Sequence, residues 1–265
     1  MRYECYIFDL YGTLVDIRTD ETSDELWSKL ALFYGYYDAH YTPEELKKRY
    51  GELVSGKEEV LRKEMERAAD KQDDAHEAHP EIQIEQVFGA LYTEKGVKAD
   101  ETLAVHTGQF FRVLSTEYLR LYDGVVHMLE TLKNAGKKVY LLSNAQRIFT
   151  EYEMHTLGIA SYFDDIFISS ECGVKKPDRR FFEMLLQKHG IDVSRAIMIG
   201  NDARSDIAGA KRVGLNTCYI HSNISPALPV RKVCDANGNE VEECIMPEAD
   251  YVIPKMDMEK LITML

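Results

Sequence analysis

Apolar residues run almost unbroken from Tyr3 to Leu10 and stop at Tyr11-Gly12-Thr13, which predicts a buried strand ending in a turn. From roughly Asp16 to Leu119 the pattern changes to long, charged stretches of helical period with no clear strand. Within that region Thr42-Pro43-Glu44-Glu45 reads as a helix start: Thr42 caps, Pro43 suits the first turn and Glu45 completes a capping box. Further helices are predicted around Glu81 to Lys95 and Glu101 to Leu119, and the polar, highly charged stretch from Ala68 to Pro80 predicts a mobile connection.

From Asp123 onward the period switches back and forth. Asp123 can cap a helix ending at Gly136, and Lys138 to Leu142 reads as a strand. A helix to Gly158, a strand over Ile166 to Ser169 and a helix from Asp178 to Gly190 follow. Then come a strand over Ala196 to Gly200, a helix to Gly214 and a strand over Thr217 to Ile220. The glycine after each helix is a stop signal. Such alternation predicts an α/β protein, a doubly wound, Rossmann-like parallel sheet with helices on both faces and a binding crevice at the carboxyl ends of the strands. Ser222 to Pro247 breaks the rhythm, with Asp235 to Asn239 as a turn between two short strands, and a strand over Tyr251 to Ile253 and a short helix close the chain. The expected organisation is a core formed by residues 1–15 and 120–265, with residues 16–119 inserted as an α-helical cap domain.

The chain's 265 residues are enough for a sizeable core without staples. The formal net charge of −13 argues against a nucleic-acid surface, because phosphate backbones reward clustered Lys and Arg, but leaves room for a small anionic substrate held by local cations. No apolar run approaches a membrane span and the first residues lack a signal-peptide pattern, so no membrane partner is expected. Five cysteines without a C-x-x-C pair fit reduced thiols and a cytoplasmic location, although Cys234 and Cys244 flank a turn and could pair. Whether the chain is a monomer or a dimer is not legible.

Four strand ends carry unusual polar residues that the topology would gather: Asp9 to Leu14, Ser143-Asn144, Lys175-Lys176-Pro177-Asp178, and Asn201-Asp202 through Asp206. Taken singly, each has a plain structural role, as a turn cap, a helix start or a solvated carboxylate at a helix N-terminus. Together they converge Asp9, Asp202 and Asp206 opposite one lysine. Several carboxylates in one crevice raise each other's pKa unless a cation intervenes, and a hard divalent ion such as Mg2+ suits a site that also binds phosphate.

These four segments, in order and in their strand contexts, resemble the motifs of the haloacid dehalogenase-like hydrolase superfamily, and the resemblance covers nearly the whole chain. It implies that Asp9 is the nucleophile, with Thr13 at the family spacing on the substrate side. Ser143 would hold the phosphoryl group beside Asn144, and Lys176, with Lys175 the less favoured occupant, would neutralise nucleophile and substrate. Asp206 would be the last acidic residue of the fourth motif. The implied metal ligands are Asp9, the main-chain carbonyl of Tyr11, Asp206, and either Asn201 or Asp202, with Asp202 favoured. The implied chemistry is a magnesium-dependent, two-step displacement through an aspartyl intermediate on a small phosphorylated metabolite.

Two departures matter. Family phosphatases carry a second aspartate as general acid and base where this chain has Tyr11. A phenol with a reference pKa near ~10 is no base at neutral pH, which leaves it a proton donor or a wall of the pocket. The haloacid dehalogenases carry an aromatic residue there, within a similar Tyr-Gly-Thr-Leu stretch, and take halide with a cap arginine, for which Arg18 and Arg49 are candidates. The second departure is Asn201 at the longer of the two family spacings from Asp206. Phosphatase chemistry is the leading expectation, with a carbon–halogen hydrolase and a non-catalytic binding protein as alternatives. The aromatic cluster Phe33 to Tyr37, with Tyr41, is read as the cap's own core before a substrate lid, and His76 with His79 is a minor metal candidate.

Overall fold

The computed structural model describes residues 2–68, 78–234 and 240–264. Most of the Ala68 to Pro80 connection, His76 and the Asp235 to Asn239 turn lie outside the described residues. The chain enters through β1 (Cys5–Phe8), β2 (Val15–Thr19) and four helices, α1 (Asp24–Gly35), α2 (Pro43–Ala68), α3 (Glu85–Glu94) and α4 (Glu101–Ser115). It returns through β3 (Thr116–Leu121), α5 (Val125–Asn134), β4 (Lys138–Ser143), α6 (Arg147–Thr156), β5 (Asp165–Ile168), α7 (Ser169–Cys172), α8 (Arg179–His189) and β6 (Ala196–Gly200). A π-helical turn over Ala203–Ala208, α9 (Gly209–Arg212), β7 (Asn216–Ile220), β8 (Val230–Cys234), β9 (Glu240–Cys244), β10 (Tyr251–Ile253) and α10 (Met258–Met264) complete it.

Six strands form one parallel sheet in the order β10-β7-β6-β1-β4-β5. The order reverses at β1, whose neighbours β4 and β6 come from opposite halves of the later chain, so the carboxyl end of β1 is the topological switch point where such sheets bind ligands. Burial on both faces explains the unbroken apolar runs. Tyr6, Phe8, Leu141 and Ile199 pack beneath α5 and α10, whereas Ile7, Leu142 and Met198 pack against Phe181, Phe182 and Leu185 of α8. Each fully buried side chain of that size contributes ~1.5–3 kcal/mol by leaving water.

The inserted helices hold a separate cluster, in which Trp27, Leu30, Tyr34, Phe88, Leu91, Tyr92 and Phe111 are buried. The Phe33–Tyr41 cluster divides accordingly. Tyr34 is fully buried with its ring 4.3 Å from that of Tyr92, Tyr41 donates to the Leu91 carbonyl at 2.6 Å, and Tyr36 is exposed. Thr42 caps α2 through Glu45 N–H at 3.1 Å, and the Glu45 carboxylate takes the Thr42 main-chain N–H in return while also pairing with Lys95, which closes the capping box.

Several expectations are corrected. The 16–119 region is not free of strands: β2 and β3 pair antiparallel and form the double connection to the inserted helices. The helix expected to reach Leu119 therefore stops at Ser115, because Thr116 to Leu121 gain ladder hydrogen bonds and the pairing outweighs local helical period. Asp16 on β2 is buried and accepts from Arg120, Tyr118 and Asn223, so the start of the Ser222–Pro247 segment braces these strands. Asp123 does not cap α5, whose N-cap is Gly124 in the left-handed region. The register Val230↔Cys244 and Cys234↔Glu240 puts positions 234 and 244 at opposite ends of the β8–β9 ladder. Among the described residues no helix is long and apolar enough to cross a membrane.

Candidate active site

The carboxyl end of β1 delivers Asp9 into a turn tied down by its own backbone. The N–H groups of Thr13, Leu14 and Val15 all donate to the Leu10 carbonyl, and Asp9 N–H donates to Ile199 on the neighbouring strand. Gly12 sits at φ +85°, where an L side chain is strained, and a Cβ there would overlap the Asn201 side chain. The β1 turn and the β6 end are thus pressed together through a glycine, with Thr13 Oγ1 donating to Asn201 Oδ1 at 3.4 Å. Gly200 meets a second close approach, since a Cβ there would overlap Asp206.

Lys176 is the centre of charge. Its side chain is 1% exposed, and its Nζ lies 2.7 Å from Asp9 Oδ1, 2.8 Å from Asp206 Oδ1 and 2.6 Å from the Leu142 carbonyl. Three acceptors account for all three donors of the ammonium. Its main chain is held as firmly: Asn144 Oδ1 accepts from Lys176 N–H at 2.8 Å and Asn144 Nδ2 donates to the Lys176 carbonyl at 2.9 Å. Ser143 Oγ donates to Asp9 Oδ1 at 3.3 Å. Lys175 points elsewhere, to Glu58 on α2 and Glu81.

Two buried carboxylates share that one cation. Burial opposes the Lys176 charge, but Asp206 and Asp9 outweigh it and raise its pKa. Burial pushes the Asp206 carboxyl up to about 6, with Lys176 pulling it down and the Asp9 charge pushing it further up. The excess negative charge calls for a cation. Among the described residues no three His, Cys, Asp or Glu side chains gather closely enough to hold a metal alone. The oxygens at hand are the Asp9 and Asp206 carboxylates and the Asn201 amide, a hard donor set that fits a magnesium ion keeping several waters.

Asn201 and Asp202 are separated by their surroundings. Asn201 is buried against Gly12 and Thr13, on the Asp9 side. Asp202 accepts from Arg204 N–H at 2.8 Å and Ser205 N–H at 3.0 Å through Oδ1, capping the turn that follows, while its own N–H donates to Asp206 Oδ2. The preference for Asp202, made because an asparagine supplies no charge, meets a carboxylate whose Oδ1 serves as a turn cap.

Tyr11 has partners that the sequence reading did not name. Its hydroxyl donates to Glu153 Oε2 at 2.6 Å and meets Thr150 Oγ1 at 3.0 Å, both on α6. Burial and then the Glu153 charge push the phenol above its ordinary pKa. Arg112 of α4 donates to both oxygens of Glu153, at 2.6 and 3.2 Å, with its guanidinium over the rings of Tyr11 and Phe149. Sequence reasoning missed Arg112 and Glu153. Arg18 and Arg49, the arginines it named, pair with Glu117 and with Glu52 and Glu94 at the surface of the inserted unit.

The arrangement, a carboxylate at a parallel-sheet switch point with a buried lysine across it and an acidic turn behind, agrees with comparison to known proteins. The glyceraldehyde 3-phosphate phosphatase of Methanothermobacter thermautotrophicus is 32% identical over 123 residues, covering 46% of this chain and 54% of that protein. The pyrimidine 5'-nucleotidase YjjG of Escherichia coli is 33% identical over 101 residues, 38% of this chain and 44% of that one. The chain thus spans about half the length of these curated relatives. The crystal structure of a HAD phosphatase from Thermococcus onnurineus superposes with a TM-score of 0.55 at 17% identity, covering 98% of this chain and 97% of the other, which shows the shared fold. The profile described as haloacid dehalogenase-like hydrolase matches residues 3–214, a stretch that includes every strand end discussed above, so the chain belongs to that hydrolase family.

Proposed function

We propose that this protein is a phosphatase-type hydrolase for a small phosphorylated metabolite, working through an aspartyl-phosphate on Asp9, with the helices of residues 16–119 as its cap. The observation that carries the reading is the Asp9 carboxylate held by the buried Lys176 ammonium at 2.7 Å. Lys176 holds and aims Asp9, and a free oxygen of that carboxylate attacks phosphorus as the ester bond breaks. Ser143, already on Asp9, is within reach of a phosphoryl oxygen bound there, and the Asn144 clamp keeps Lys176 from drifting. Water then hydrolyses the aspartyl-phosphate and frees Asp9. Asp9, Asp206, Asn201 and the Tyr11 carbonyl would hold magnesium, which when bound supplies positive charge against the transferring phosphoryl group. Two further observations support this: the relatives named above act on phosphorylated compounds by their names, and the fold neighbour YfnB from Bacillus subtilis was crystallised bound to magnesium.

With the Tyr11 hydroxyl spent on Glu153, no acid stands at position 11 for the leaving group. Aryl and acyl phosphates, whose leaving groups depart without a proton, should therefore react ahead of alkyl phosphates. The same observation favours a second reading, hydrolysis of a carbon–halogen bond, which needs no leaving-group protonation. The test is release of p-nitrophenol from p-nitrophenyl phosphate by the purified protein, with magnesium and with EDTA, beside Asp9→Asn. Magnesium-dependent release lost in the variant is the expected result. No release under either condition, with halide freed from 2-haloacids, would overturn the phosphatase reading in favour of the second.

A further inference from the structure

Three separate parts of the chain meet at one buried carboxylate. Glu153, with its side chain 8% exposed, takes the Tyr11 hydroxyl from the catalytic turn and the Arg112 guanidinium from the inserted helices. Thr150, fully buried one turn earlier on α6, completes the shell around the phenol. The helix that carries both begins three residues after Asn144, so the network ties the Asp9 turn to the Ser143-Asn144 turn from behind.

A buried ion pair is costly to desolvate and is weak evidence for stability in itself, since well-packed apolar residues would often serve as well. What this one adds is position. Tyr11 lies between Asp9 and Gly12, so fixing its ring fixes the main chain on which the nucleophile and the Tyr11 carbonyl sit. The turn's own hydrogen bonds to the Leu10 carbonyl constrain residues 13 to 15, and the ring is the side-chain anchor of residue 11.

We propose that Glu153 is a positioning residue for the catalytic turn, acting through the Tyr11 hydroxyl, and that Arg112 makes this hold depend on how the inserted helices are seated. The proposal rests on Asp9 being the nucleophile. When α4 is seated, Arg112 fixes Glu153, Glu153 fixes Tyr11, and the turn is set for attack. When α4 moves, Glu153 loses its cation and its aim.

The test is a double-mutant cycle of Tyr11→Phe, Glu153→Gln and the pair, read in two ways. The first is kcat and KM for p-nitrophenyl phosphate; the second is backbone hydrogen exchange of residues 9–15, which needs no activity. Each single variant should lower kcat about tenfold with KM nearly unchanged, and the pair should be no worse than Glu153→Gln, because both act on one element. Exchange over residues 9–15 should rise equally in all three. Arg112→Met, which removes the cation at similar length, should raise exchange in the same segment, and this keeps the test alive should Glu153→Gln fold poorly. A merely structural role would lower the melting temperature yet leave kcat and the exchange of this segment unchanged below it, and that result overturns the proposal, as does additivity in the pair. If the wild type proves inert, the hydrolase reading of Asp9 fails by itself, and the exchange data still decide whether Glu153 holds the turn.

Discussion

Replacing Lys176 with methionine keeps the length of the side chain and removes its charge, which isolates what the ammonium does. Asp9 and Asp206 each touch Nζ, so their nearest oxygens lie no more than about 5.5 Å apart. Without the cation, two ionised carboxylates at that distance repel by about 3 kcal/mol at an effective dielectric constant of about 20. The protein can escape by protonating one of them. Asp206 already sits at about 6, so protonating it costs only about 1.4 kcal/mol at pH 7, at 1.36 kcal/mol per pH unit, and this sets a ceiling on the electrostatic loss. The Leu142 carbonyl also loses its donor, worth about 1 kcal/mol and independent of pH.

Lys176→Met should therefore be destabilised by about 2–2.5 kcal/mol at pH 7 and by about 1 kcal/mol at pH 5. The sign follows from linkage. The Asp206 carboxyl, already raised to about 6, is raised further in the variant, so the electrostatic penalty is absent below about 6 and grows as pH rises above it. Urea unfolding of wild type and variant at pH 7, 6 and 5 measures it. A deficit of the same size at all three values would refute the reasoning, because only a packing defect ignores pH. Millimolar magnesium should recover part of the loss at pH 7 and little at pH 5, where the carboxyl already carries a proton.

Other perturbations probe separate parts of the structure. Burial raises the Asp164 carboxyl, but the Val139 N–H and Lys133 and Lys138 outweigh it and hold it at about 2. Asp164→Asn should thus cost about 2 kcal/mol in urea unfolding above pH 4, a difference that disappears as pH falls from about 3.8 to 2 and the wild type loses the same charge. Gly12→Ala should cost about 1–2 kcal/mol for its left-handed φ alone, and by displacing Asn201 it should also weaken magnesium binding measured by calorimetry. Asn144→Ala removes both hydrogen bonds that clamp the Lys176 main chain. It should lower kcat for p-nitrophenyl phosphate about tenfold while circular dichroism stays unchanged.

What was legible in the sequence was whatever depends on near neighbours. The runs around Ile7, Leu141 and Ile199 read as strands because burial on both faces leaves no polar alternation, and the glycines after each helix marked the ends. Asp9, Ser143, Lys176 and Asp206 could be named because each lies at or shortly beyond the carboxyl end of a strand, and the parallel topology then leaves them one place to meet. The β2–β3 pair was hidden for the opposite reason. Its partners are about a hundred residues apart, and Thr116 to Leu121 have no alternation strong enough to separate them from the helix before.

The Tyr11 network is harder still, because nothing local distinguishes its members. Glu153 is one of two glutamates on α6, and Arg112 follows the buried Phe111 as an ordinary helix-surface arginine would. Tyr11 and Glu153 stand 142 residues apart. Only the docking of α4 over α6 turns that arginine inward, and only then does the carboxylate have a reason to be buried. A substitution at position 11 changes what the site must do with the side chain it has. Tyr11→Asp would set a carboxylate toward Glu153 where a phenol now donates, so restoring an acid at this position should require removing the Glu153 charge as well. Tyr11→Asp alone should then gain little on alkyl phosphates, whereas Tyr11→Asp with Glu153→Gln should gain more. Equal activity of the two would mean that Glu153 does not govern how position 11 is used.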